Sequence, residues 1–150
     1  MLSAEQIAEA APEALIAALA RPAFRHACPL SYRLPETLKS EARPILWRDD
    51  RGRMRVTAAS STIEPEDAEA SRALEDFRAL IGSLEPLRAV VGPGTALLFK
   101  DDRVLHGRDE VAGERWLQRA YFRESLEGLR AAAGSDPRAF SFDVRGLMGG

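Results

Sequence analysis

The chain has 150 residues, 45% of them hydrophobic and 29% charged, with a formal net charge of -2. That balance belongs to one core-forming domain and excludes a disordered chain. It provides no global field to draw nucleic acid or an anionic membrane, and no run approaches the roughly 18 apolar residues of a membrane span. We expect a cytoplasmic protein with no nucleic-acid or membrane partner. The single cysteine, Cys28, leaves no intrachain disulfide or cysteine-rich zinc site, and is read as a buried, inert thiol.

Ser3-Ala4-Glu5-Gln6 has the form of a capping box and starts a short helix that Pro12 interrupts or restarts. A second helix is predicted over about Pro12 to Ala20. From Ala23 to Arg33 the even spacing of Phe24, Cys28, Leu30 and Tyr32 suits one face of a half-buried strand. Apolar runs on both sides of Asp49-Asp50-Arg51-Gly52 predict a hairpin between Pro44 and Thr57. Ser61-Thr62 and Pro65 introduce the longest helix, Glu66 to Ser83. Ala70, Ala73, Leu74, Phe77, Leu80, Ile81 and Leu84 form its buried stripe.

Beyond that helix the pattern is of short strands and tight turns. Strands are predicted over Leu87–Val91, Ala96–Phe99, Arg103–His106 and about Arg115–Arg123, with a Gly92-Pro93-Gly94 turn between the first two. Such an order favours an α+β, mainly β fold of antiparallel, jelly-roll type, with flanking helices. The tail after Leu126 is rich in alanine and glycine and is read as a short helix followed by a loosely held end.

The candidate chemistry rests on few residues. There are two histidines, His26 and His106, and lysine occurs only at Lys39 and Lys100, so nearly all the basic residues are arginines. His106 follows the apolar pair Val104-Leu105 at a predicted strand end. On the next predicted strand Arg115, Leu117, Arg119 and Tyr121 share a face, which separates the two arginines by about 13 Å at roughly 3.3 Å per residue. Facing inward, two guanidiniums need anionic partners, because an unpaired buried charge is costly. The other arrangement exposes that face to solvent and turns Trp116 and Phe122 to the core.

The run Gly92-Pro-Gly-Thr-Ala-Leu-Leu-Phe-Lys-Asp-Asp-Arg-Val-Leu-His-Gly-Arg108, followed by Gly113-Glu-Arg-Trp-Leu-Gln-Arg-Ala-Tyr-Phe122, resembles the C-terminal signature of the TauD-like non-haem iron oxygenases. It is most similar to the clavaminate synthase-like branch, which hydroxylates free amino acids. The resemblance is specific over 92–122 and weaker upstream. It divides the chain into 1–128, the C-terminal part of an oxygenase domain forming a partial double-stranded β-helix, and 129–150, a tail. It implies Fe(II) and 2-oxoglutarate as cofactors and a small-molecule, amino-acid-like substrate. His106 resembles the distal histidine of the two-histidine, one-carboxylate iron triad. Arg115 resembles the arginine that pairs with the distal carboxylate of 2-oxoglutarate, and Arg119 one that meets the substrate carboxylate.

The pattern also departs from the family. No His-x-Asp or His-x-Glu pair occurs, and the nearest run, His26-Ala27-Cys28, ends in a thiol where a hard carboxylate is needed. His26 is read as an ordinary strand residue. Thr95 stands at a usually acidic position, Lys100-Asp101-Asp102 replaces an Asp-Asn-Arg run, and the loop from His106 to Arg115 is shorter. A truncated enzyme missing its N-terminal half, half of a site completed by another polypeptide, and a degenerate relative all fit this sequence. Two further alternatives are a non-catalytic carboxylate-binding jelly-roll module and a structural fragment that forms homo-oligomers to cover exposed edges.

Overall fold

The computed structural model describes residues 1–27, 39–58, 62–107, 118, 120, 122 and 125–133. Ser3 caps helix α1 (Ala4–Ala10): its hydroxyl accepts the Gln6 N–H at 3.0 Å. Only half of the expected capping box forms. The Gln6 side chain reaches instead to the Glu85 carbonyl, at 3.2 Å. Helix α2 (Glu13–Leu19) starts just after Pro12, whose carbonyl accepts from Leu15 and Ile16.

The strands are two or three residues long and pair antiparallel. Strand β1 (Leu2–Ser3) meets β6 (Val104–Leu105), with Leu2 opposite Leu105 and Ser3 opposite Val104. Strand β2 (Phe24–His26) meets β5 (Ile63–Pro65), and isolated bridges to Lys39 and Arg43 engage the β2 region elsewhere. The predicted hairpin is formed by β3 (Leu46–Arg48) and β4 (Met54–Val56), closed by Gly52 at φ +73°, a left-handed conformation that glycine adopts without strain.

Helix α3 (Ala68–Ser83) begins two residues later than expected, because the Asp67 side chain provides the cap by accepting the Ala70 N–H at 2.7 Å. Its stripe is as anticipated. Ala70, Ala73, Leu74 and Phe77 are buried, and Leu80, Ile81 and Leu84 pack at the margin. Opposite them lie Ile7, Leu19, Phe24, Ile45, Leu46 and Val56, all fully buried. Each such side chain contributes roughly 1.5–3 kcal/mol of burial. No described helix is long and apolar enough to cross a membrane.

Several expectations are corrected. Leu87–Val91 and Ala96–Phe99 are not strands: neither run finds a ladder partner among the described residues. Leu87 exchanges two hydrogen bonds with Met1, at 2.7 and 2.9 Å, while Pro86 and Pro93 have no N–H to extend the pairing. The intervening turn does form, with Thr95 N–H on the Gly92 carbonyl and Gly94 at φ +75°. Arg103–His106 shortens to β6, preceded by a 3-10 turn at Asp101–Arg103. Strand β5 was not anticipated; Pro65 fits at its end, where a missing donor costs little.

Of the run Arg115–Arg123, Gln118, Ala120 and Phe122 are described and are not in a strand; the rest lies outside the described residues, as does Cys28. The tail opens with the expected short helix, α4 (Glu127–Ala133). The described architecture is α+β, three separate two-stranded pairs packed with helices rather than a closed barrel. It is also more helical than the mainly β expectation, since α3 alone has 16 residues and no strand exceeds three.

Candidate metal and cosubstrate site

His106 stands immediately after β6, where Val104 and Leu105 are half-buried against β1. The imidazole packs on Phe99, with ring centroids 4.7 Å apart and planes tilted by 54°. Its Nδ1 lies 3.8 Å from Asp101 Oδ1, and the side chain keeps 32% of its surface open to solvent. The histidine singled out from sequence is thus partly exposed at a strand end, with one aromatic wall and one carboxylate beside it.

The turn that contains Asp101 and follows Phe99 is anchored from two directions. Arg103 pairs with Glu5 on α1, and Asp102 Oδ2 accepts from Arg55 Nη1 at 2.7 Å. Arg55 is itself fixed. Its Nε and Nη2 donate to Asp49 Oδ2 at 3.0 and 2.7 Å, and the same carboxylate accepts from the backbone N–H of Arg51 and Arg53 and from Arg53 Nε. Burial alone would raise the Asp49 carboxyl; the N–H of Arg53, the guanidiniums of Arg55 and Arg53 and the N–H of Arg51 outweigh it and hold it well below the usual carboxylate range.

Sequence reasoning missed this network. Its signal was present in Asp49-Asp50-Arg51-Gly52-Arg53-Met54-Arg55, where Arg53, just before β4, and Arg55, within it, fall two apart and alternate with buried Met54 and Val56.

Arg115 and Arg119 lie outside the described residues, so their relation to His106 is not part of the described geometry. Phe122 is 80% exposed, which runs against turning it to the core. His26 is a strand residue on β2, opposite Ile63, with its backbone N–H on the Oγ of buried Ser40 at 3.1 Å. Its Nε2 is buried without a hydrogen-bond partner among the described residues. Burial, helped by the charge of Arg43, lowers its pKa and favours the neutral ring.

Iron held by a facial triad needs two imidazoles and a carboxylate converging on one point. Among the described residues no three His, Cys, Asp or Glu side chains gather in that way, and His106 has only Asp101 close by. The described donors do not complete an iron site.

Comparison with known proteins adds the following. No protein-family model and no curated protein matches the chain. Two solved structures resemble it, both of asparagine oxygenase. One holds Fe(II), 2S,3S-3-hydroxyasparagine and succinate; the match has 23% identity and a TM-score of 0.48, over 55% of this chain and 25% of that one. The other, of asparagine oxygenase (AsnO), has 21% identity and a TM-score of 0.42, over 54% of this chain and 24% of that one. The chain therefore spans about a quarter of the length of either enzyme.

Proposed function

We propose that residues 1–128 are the C-terminal part of a TauD-like Fe(II)- and 2-oxoglutarate-dependent oxygenase domain of partial jelly-roll type, and that 129–150 are its tail. One observation carries the reading: the signature run over 92–122 sets His106 directly after β6, partly open to solvent between Phe99 and Asp101. In this reading His106 is the distal metal histidine, and Arg115 forks onto the distal carboxylate of 2-oxoglutarate. Arg119 meets the carboxylate of a small, amino-acid-like substrate. Neither histidine is followed two residues later by Asp or Glu, so the other two iron ligands come from a second polypeptide segment. With Fe(II) and 2-oxoglutarate bound, the complete domain would use dioxygen to hydroxylate an unactivated C–H bond, one oxygen atom entering the substrate and the other the succinate formed, with carbon dioxide, from 2-oxoglutarate, in a cytoplasmic setting without nucleic acid or membrane.

Calorimetric titration of 2-oxoglutarate into the full chain tests the reading. Arg115→Ala loses at least about tenfold in affinity, the worth of a charged hydrogen-bonded pair. Equal affinity in the two proteins removes the role of Arg115. Succinate formation by this chain alone removes the need for a second segment.

Two other readings have observations behind them. A carboxylate-binding module around Arg115 and Arg119, without turnover, suits a chain with two histidines in all. A fragment that forms homo-oligomers suits the exposure of Leu87, Val90 and Leu98.

A further inference from the structure

Both side-chain neighbours of His106 described above come from one short stretch. Phe99 walls the ring and Asp101 faces Nδ1, and between Asp101 and β6 lies the 3-10 turn Asp101–Arg103. Whatever holds that turn sets where the imidazole points. The strand pairing does not do it alone, because β6 ends at Leu105, one residue short of the histidine.

One hold is the Arg103 pair with Glu5 on α1; the other, and the better built, comes from the hairpin. A lone surface ion pair such as Asp102 with Arg55 contributes little, since two flexible side chains lose freedom to make it. Arg55 is not flexible: it is 13% exposed, and two of its nitrogens are already bound to Asp49, itself 12% exposed and gripped by backbone N–H groups of its own loop. The third nitrogen, Nη1, is thereby aimed at Asp102. A planar guanidinium can bridge two carboxylates in this fixed way; an ammonium is a point charge on a flexible stem.

We propose that Arg55, preset by Asp49, is a positioning residue for His106: it pins Asp102 and so fixes the turn that supplies Asp101 and that joins Phe99 to β6. The assignment rests on the reading of His106 as a metal ligand for its functional meaning, but the geometry is independent of that reading.

The chain has two histidines, so carbon-13 labelling of histidine rings yields two sets of signals in the 150-residue chain, with His26 on a different strand pair as an internal control. In Arg55→Met, and in Asp102→Asn, the His106 ring signals shift and broaden while those of His26 stay in place. Arg55→Lys restores part of the change. Asp102 is half exposed, so its loss leaves the fold intact should Arg55→Met perturb it. His106 signals that do not move in Asp102→Asn overturn the proposal. The ring signals are read without metal or cosubstrate, which separates this outcome from failure of the reading beneath it. If 2-oxoglutarate binds the unsubstituted chain and Arg115→Ala with equal affinity while both variants still move the His106 ring, the positioning stands and the site reading falls.

Discussion

Among the described residues, those of 2–77 and those of 87–98 both carry large apolar side chains, yet only the first stretch buries its own. Ile7, Phe24, Ile45 and Phe77 are closed off from water, whereas Leu87 is 69%, Val90 94% and Leu98 85% exposed. Sequence hydrophobicity is similar; opposing surface is not. The first stretch folds back on itself through α1, α2, α3 and two strand pairs, while the second offers apolar residues with no ladder partner among the described residues. Stability is therefore concentrated upstream of the segment that carries the candidate chemistry.

The largest expected effect sharpens this contrast. Phe77→Ala removes a fully buried ring from the centre of α3 and lowers the unfolding free energy by about 3–5 kcal/mol in urea titration. Acid comes next. The folded pKa values of Asp49 and Asp67 are depressed, so their contribution is complete above the unfolded value of about 4 and is lost as pH falls through the folded values. The thermal midpoint should fall between about pH 5 and pH 2, and Asp49→Asn should flatten that slope. Ser3→Ala then costs about 1 kcal/mol through loss of the α1 cap, read in the same urea titration. Smallest is Leu98→Ala, at under about 0.5 kcal/mol, because the side chain is already in water. A loss at Leu98 comparable with that at Phe77 breaks the comparison outright.

What could be read in advance follows the same division. The α3 stripe and the Gly52 hairpin were legible because local periodicity and turn chemistry agree with the packing that results. The Ser3 cap was half legible: the hydroxyl acts as expected, but Gln6 finds a better acceptor at Glu85, far away in sequence. The runs at Leu87 and Ala96 were misread as strands because a short apolar run between turn residues describes a willingness to pair, and the partner has to be supplied by tertiary structure. At the candidate site, His106 stood out through its motif. Arg55 did not, since its importance lies in being preset by Asp49 and aimed at Asp102, a relation between a hairpin and a turn 47 residues further on.

The pairing of β1 with β6 has a consequence for how the molecule forms. Leu2 and Leu105 are roughly a hundred residues apart, so their contact closes nearly the whole described chain into one loop. The entropy of such closure grows with the logarithm of loop length and is offset only once intervening elements have shortened the effective distance. Contacts of this range slow folding. The hairpin and α3 can form locally, whereas β6 has to wait for them, so the imidazole of His106 reaches its place among the last events of folding and, on partial unfolding, is among the first to leave it.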